Sequence, residues 1–331
     1  MEVIADSSRQ KIITEMHQMA KNKDVQKILD EIGKVIKGKD DVIEKVLMAV
    51  FASGHILIED VPGLGKTTLA MALSNALGLE SKRIQFTPDT MPSDITGTSF
   101  YDERTKKFEF LPGVVMTNLL LGDEINRTSA KTQSALLEAM AEEKVTVDGV
   151  RYPLPDPFIV IATQNPVTSS GTQPLPDSQL DRFMVKLSMG YPDADAELAM
   201  LKNAYGKSQR EKVTQITDGA GLLGMRETVN NIKVTDEMMN YMIALCDATR
   251  NHPDVVLGIS PRGLIAFMQM SRARAFCEGR DYVIPQDAQA VFVDCCAHRL
   301  FTSGRLRREG GTAADILIRI MQDVPAPELL K

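Results

Sequence analysis

Residues 56–67, Ile-Leu-Ile-Glu-Asp-Val-Pro-Gly-Leu-Gly-Lys-Thr, constrain the fold more than any other segment. A short apolar run breaks into a glycine-rich turn ending in Lys-Thr. Such a turn needs a buried strand before it and a helix after it, because its use is to present free backbone N–H groups and a helix N-terminus to an anion. Gly63 and Gly65 let the backbone approach phosphate closely. The whole turn, Pro62, Gly63, Leu64, Gly65, Lys66, Thr67 and Thr68, is therefore the candidate cradle of a nucleoside triphosphate. Lys66 would reach the β- and γ-phosphates and Thr67 would hold Mg²⁺. The alternative is an ordinary glycine-rich loop. One position departs from G-x-x-x-x-G-K-[ST]: Asp60 stands where glycine is usual, and its carboxylate is expected to cap the turn through its own backbone.

The chain is long enough, at 331 residues, to bury a large core and to divide in two. Short apolar strands alternate with helical periodicity up to Gly190, which predicts a mostly parallel α/β sheet with helices on its faces. The expected strands are 82–86, 115–122 and 158–163, with helices over 24–35, 40–53, 66–77 and 129–142. Around Asp148-Gly149 the pattern alternates with period two, the signal of a β-hairpin. Past Gly190-Tyr191-Pro192-Asp193 helical periodicity takes over at 194–204, 235–249, 261–278 and 285–300. The boundaries expected are an N-terminal helical extension over 1–23, an α/β core over 24–189 and a separate all-α domain over 190–331.

A formal charge of −6 argues against a non-specific grip on nucleic acid, which comes mostly from neutralising phosphates. Arg299, Arg305, Arg307 and Arg308 form the one basic cluster near the C-terminus, and a solvated basic face explains it. Cys246, Cys277, Cys295 and Cys296 lack metal-ligand spacing and read as buried thiols. No stretch is apolar enough to cross a bilayer, and the first ten residues lack the layout of a secretory signal, so the expected location is cytoplasmic.

Asp123 and Glu124 end an apolar strand, where an open α/β sheet presents functional groups at the same edge as the phosphate turn. Asp123 would bind Mg²⁺ and Glu124 would polarise the water that attacks the γ-phosphate; as an alternative, the pair caps a helix. Asn165 ends the next strand and either orients that water or forms an Asx-turn before Pro166. Arg182 either pairs with a local carboxylate or reaches a nucleotide on a neighbouring subunit. Arg262 sits in the first turn of a helix begun by Pro261, where a cation gains nothing from the helix dipole, so a phosphate or a salt bridge is its expected partner.

Taken together, EDVPGLGKT (59–67), FTPDTMPSDITG (86–97), LLGDEINRTSAKTQSALLEAMAE (120–142), ATQNP (162–166), LPDSQLDRF (175–183), YPD (191–193) and SPRG (260–263) resemble the AAA+ ATPases, and more closely the MoxR family among them. The likeness spans roughly residues 24–325. It implies a P-loop NTPase core followed by an all-α lid, with ATP and Mg²⁺ as ligands. By the same likeness Lys66 and Thr67 are the Walker A pair, Asp123 and Glu124 the Walker B pair, Asn165 sensor 1, Arg182 the arginine finger with Arg127 as the alternative, and Arg262 sensor 2. Val35, Ile36 and Gly38 match the segment that packs around adenine. The stretch 98–112, with Phe100, Phe108 and Phe110, and the Asp148-Gly149 hairpin match elements that engage substrate. The implied activity is ATP hydrolysis in a hexameric homo-oligomer that remodels or matures a protein client, with a von Willebrand factor A domain protein as a partner. The rival readings are a nucleic-acid motor or loader and a nucleotide-binding scaffold with little turnover.

Overall fold

In a computed structural model, residues 21–61, 63–166, 173, 175–192, 194–195, 197–198, 201 and 212–328 are described. Five parallel strands lie in the order β2 (Ser81–Gln85), β5 (Leu119–Asp123), β8 (Ile159–Gln164), β1 (Ile56–Glu59) and β9 (Val185–Leu187). Because side chains alternate across a strand, odd and even positions feed two different cores. Ile56, Ile58, Leu119, Leu121, Ile161 and Val185 face one side, and Leu57, Leu120, Val160 and Ala162 face the other.

The first face is covered by α1 (Lys23–Val35), α2 (Asp40–Phe51) and α3 (Lys66–Ala76). Its core continues without a break into the C-terminal helices, taking in Leu245, Phe267, Met270, Phe292 and Leu317. Those helices are α7 (Gly219–Asn230), α8 (Asp236–Arg250), α9 (Pro261–Cys277), α10 (Pro285–Cys296), α11 (Gly304–Arg308) and α12 (Ala313–Asp323). Shared burial of this kind, with hydrogen bonds such as Asn22 N–H to the Cys277 carbonyl (3.0 Å), ties the first helices of the chain to the lid. The second face carries the short α4 (Pro92–Thr96) and α5 (Ala130–Glu142), whose start is capped by the Ser129 hydroxyl accepting from Thr132 N–H, and the single turn α6 (Asp177–Leu180) leads into β9.

Two ribbons stand off the main sheet. β3 (Gly97–Asp102) pairs with β4 (Lys107–Pro112), and β6 (Lys144–Val147) pairs with β7 (Val150–Pro153) about the predicted Asp148-Gly149 turn, where both residues have positive φ. Phe110 stacks on Tyr152 at 3.9 Å and joins the ribbons, while Phe108 at the far end of the first is 76% exposed.

The structure corrects several expectations. The third strand begins at Leu119 rather than Val115, because Val115 N–H goes to the Ile95 carbonyl and the Thr117 hydroxyl goes to the Glu80 carbonyl. β9 was absent from the sequence reading: three residues are too few to show a period. Helices α7 and α12 were also missed, and a small ribbon of β10 (Val255–Leu257) with β11 (Phe301–Thr302) interrupts the helical domain. The expected helix over 194–204 and the extension over 1–23 lie mainly outside the described residues. No described helix is long and apolar enough to cross a membrane. All four cysteines are buried and unbonded, and burial pushes the Cys246 thiol up to about 12.

Candidate active site at the carboxyl ends of the strands

The phosphate turn follows β1 at the centre of the sheet, with β8 on one side and β9 on the other. Gly63 and Gly65 have φ of +91° and +85°, and a Cβ built on either would meet nothing within 4 Å. The backbone is thus both locally glycine-dependent and open in front, as a phosphate cradle requires. Gly65 is the N-cap of α3, with Lys66 and Thr67 opening the helix and Thr68 exposed beyond them. Lys66 Nζ donates to the Asp60 carbonyl at 2.8 Å and to the Val61 carbonyl at 3.4 Å. Its pKa lies below the ordinary lysine value because it is half-buried, with the charges of Asp60, Asp123 and Glu124 opposing the shift. Pro62 lies outside the described residues; Leu64 sits between the two glycines, partly buried.

Asp60 does not cap its own turn. Its carboxylate reaches across to the chain leaving β9, accepting from Ser188 Oγ (2.8 Å) and from the N–H groups of Met189 and Gly190. Glycine at this position would leave those donors without the acceptor. On the same side, Lys39 Nζ donates to the Tyr191 carbonyl at 2.8 Å. This contact brings the turn after α1, with Val35 half-buried, Ile36 buried and Gly38 at φ +68°, to the chain that Asp60 also holds. The 35–39 segment and the phosphate turn therefore both hold the chain leaving β9.

Two strands away, Asp123 ends β5 with its carboxylate accepting from Arg83 Nε (2.7 Å) and from Thr163 Oγ1 (3.3 Å). Glu124 is left-handed at φ +57°, a conformation that costs a non-glycine residue about 1–3 kcal/mol and is concentrated at functional sites. Thr163 Oγ1 holds it there by accepting its N–H at 3.0 Å. The Glu124 carboxylate accepts from Arg127 (2.9 Å) and Gln85 (3.2 Å). Arg127 thus serves its own chain's glutamate. Asn165 follows β8, partly buried, with its carbonyl accepting from Asn126 Nδ2 at 3.1 Å.

A carboxylate and a hydroxyl are hard oxygen donors, and among the described residues no group of three or more His, Cys, Asp or Glu is placed to hold a metal. A two-residue oxygen set fits Mg²⁺, which keeps several waters and borrows phosphate oxygens. The cation already paired with Asp123 shows that its oxygens favour positive charge, and Arg83 is the group that a metal there would displace.

Arg182 and Arg262 are not at this edge. Arg182 donates to the Leu137 carbonyl (3.1 Å) and lines a cleft of about 550 Å³ with Glu138, Glu142, Lys144, Arg151 and Gln179. Two residues on, Met184 N–H donates to the carbonyl of His55, which precedes β1. That is the end of the sheet opposite the phosphate turn. Arg262 lies there too: Ser260 Oγ donates to Asp181 at 3.0 Å, and Arg262 is one of the charges that lower the pKa of His55. The lid docks against the start of β9 and not over the turn after β1, so Arg262 does not stand beside its own chain's phosphate turn. Arg299 is a second correction. Rather than joining a solvated basic face it is 5% exposed and pairs with Asp181 at 2.8 Å, whereas Arg305 is exposed and pairs with Asp254.

The sequence reading missed Arg83, Gln85 and Thr163 around the acidic pair, and Asp181, Ser260 and Arg299 at the far end. Thr163 had a signal, since it lies in β8 two residues before Asn165. Arg83 had none, because its contact with Asp123 depends on the register Arg83↔Leu121 of β2 on β5.

Residues 55–185 match the family described as "ATPase family associated with various cellular activities (AAA)", and residues 247–320 match the "AAA lid domain". The uncharacterized protein YeaC of Bacillus subtilis is 46% identical, over 91% of this chain and 94% of that one. Chaperone MoxR1 of Mycobacterium tuberculosis is 36% identical over 92% of this chain and 83% of its own. Among solved structures, one from Cytophaga hutchinsonii described as a candidate ATPase superposes with a TM-score of 0.87 at 36% identity, covering 97% of this chain and 99% of the other.

Proposed function

The chain belongs to the ATPase family associated with various cellular activities, and from that premise we propose that it is a MoxR-type cytoplasmic ATPase acting as a homo-oligomeric ring, probing its neighbours' nucleotides with Arg182 and Arg262. The observation that carries this reading is the separation of the two arginines from their own phosphate turn. A cation at the start of β9 does not serve a nucleotide at the end of β1, so the site lacks its trans charges until a second copy supplies them.

Within one chain the roles follow from position. The N–H groups of the turn and Lys66 hold the phosphates of ATP, with Lys66 exchanging its present carbonyl partners for phosphate oxygens. Thr67 and Asp123 would hold Mg²⁺, which would supply charge neutralisation for the phosphates. Glu124 orients and polarises the attacking water, and Asn165 helps to place it. Val35, Ile36 and Gly38 flank the base. Hydrolysis weakens the hold of a nucleotide on the neighbour's arginines, and the exposed ribbon of β3 and β4 delivers the resulting motion to a protein client. Support for a client comes from the mycobacterial relative, which is named a chaperone. A von Willebrand factor A domain protein and a six-membered ring remain part of this proposal through the family likeness.

The test is ATPase activity against protein concentration, with light scattering in parallel, for the wild type and Arg182→Ala. Turnover that rises cooperatively with assembly and is lost in the variant is the expected result. Activity independent of concentration removes the shared site.

A further inference from the structure

We infer that Asp181 is a positioning residue that locks Arg182 and Arg262 into one rigid unit, so that a subunit offers both arginines to its neighbour together and the lid moves with them. The inference rests on the shared-site reading above and adds a component to it.

The geometry centres on one carboxylate. Asp181 Oδ1 accepts from Arg299 Nε at 2.8 Å and Oδ2 accepts from Ser260 Oγ at 3.0 Å, so both oxygens are engaged. Ser260 is the N-cap of α9, its Oγ accepting from Gly263 N–H at 3.0 Å. Arg262 is the second residue of that helix, and Arg182 is the residue next to Asp181. One carboxylate therefore joins the backbone that carries the first arginine to the cap of the helix that carries the second.

Arg299 makes the junction stiff. Its remaining nitrogens donate to the carbonyls of Asp181 (3.3 Å), Phe183 (2.7 Å) and Met184 (3.1 Å), which wraps one guanidinium around the chain on both sides of Arg182. It also donates to the carbonyl of Cys295 near the end of α10, which anchors the fork in the lid. A planar fork with fixed donors holds a backbone in a way that a lysine would not. The first turn of α9 presses on the same group: a Cβ at Gly263 would sit 2.8 Å from Arg299 Cδ. Three segments distant in sequence thus converge on one buried guanidinium, so the backbone that carries Arg182 and the start of the helix that carries Arg262 are held to the same group.

The full-length chain tests this by kinetics. Ser260→Ala removes one arm of the cluster without emptying the core, and Ser260→Thr restores the hydroxyl. Ser260→Ala is expected to lower kcat by about 10- to 100-fold, the penalty of misplacing a charge that acts in the transition state, with little change in KM because the phosphate turn is at the other end of the sheet. Ser260→Thr should recover most of the loss. In an Arg262→Ala background, adding Ser260→Ala should cost less than it does in the wild type, because only its effect through Arg182 remains. Chains carrying both Ser260→Ala and Glu124→Gln, mixed with wild type, should depress wild-type turnover more than chains carrying Glu124→Gln alone.

Wild-type kcat for Ser260→Ala, with Arg182→Ala and Arg262→Ala each impaired, overturns the positioning role and leaves the shared site standing. Wild-type kcat for Arg182→Ala and Arg262→Ala themselves overturns the shared site and the inference with it. A fall in kcat that Ser260→Thr fails to rescue, or that adds fully to Arg262→Ala, also rejects it. Asp181→Asn, which can keep an acceptor oxygen toward Arg299 but turns an amide donor toward Ser260, serves as the second probe if Asp181→Ala does not fold, and wild-type kcat in it overturns the role.

Discussion

The two ends of the sheet hold the same chemistry under opposite conditions. At the phosphate end, Arg83 meets Asp123 at 2.7 Å and Arg127 meets Glu124 at 2.9 Å, with the guanidinium side chains 52% and 50% exposed. At the other end, Arg299 meets Asp181 at 2.8 Å with its side chain 3% exposed. Distance does not separate these pairs, and neither does exposure of the carboxylates, at 10% and 20% against 22% for Asp181; the burial of the cation does. An exposed pair contributes about 0–1 kcal/mol, so the acidic pair of the site is held loosely enough for a metal or a water to take over its oxygens. Breaking a buried pair by removing one partner costs about 3–5 kcal/mol, so the far end holds its geometry while the near end exchanges partners.

Replacing one member at each end should expose that contrast. The largest effect is expected for Asp181→Ala, a loss of about 3–5 kcal/mol in chemical unfolding, because it strands the Arg299 guanidinium and the Ser260 cap. A loss under 1 kcal/mol would put the two ends on an equal footing.

The next effect comes from pH. His55 is buried at the start of β1, with Nε2–H donating to the Met140 carbonyl (3.2 Å) and Nδ1 accepting from Val160 N–H (3.1 Å). Burial pushes its pKa down to about 4 from 6.5, and the charges of Arg226 and Arg262 push the same way. The unfolded chain therefore binds the proton first. Stability is full above about pH 6.5, falls as pH drops, and levels off below about pH 4, with His55 accounting for on the order of 3 kcal/mol. Burial holds His298 well below its usual value as well, so it adds to the slope with the same sign. Unfolding measured across this window should show a shallower slope in His55→Gln.

A smaller change is expected for Asp60→Ala, about 1–3 kcal/mol, since it leaves the N–H groups of Met189 and Gly190 without their acceptor. The smallest is Arg83→Ala, below about 1 kcal/mol in stability. Its informative readout is ligand binding: with the competing cation gone from Asp123, ATP binding measured by calorimetry should reach half-saturation at a lower Mg²⁺ concentration. A higher requirement would mean that Arg83 assists the site.

Residues 56–67 determined the central strand, the turn and the helix after it, because each step is a local demand: apolar run, positive-φ glycines, free N–H groups. Local periodicity likewise placed α1, α2, α5, α8 and α9 within a residue or two, and the Asp-Gly pair placed the β6 and β7 ribbon. Spacing to strand ends was enough to mark Asp123, Glu124 and Asn165. What depended on contacts between distant segments was not legible. Asp60 looked like a flaw in a motif, yet its acceptor role lies some 130 residues away in sequence. Arg299 looked like part of an exposed basic run and is a buried clamp, because burial is decided by which surface a helix meets and not by the company a residue keeps in the chain. The same reason governs Arg182 and Arg262. Sequence could name them as candidate cations, but the end of the sheet at which they stand was settled only when the lid docked beside β9.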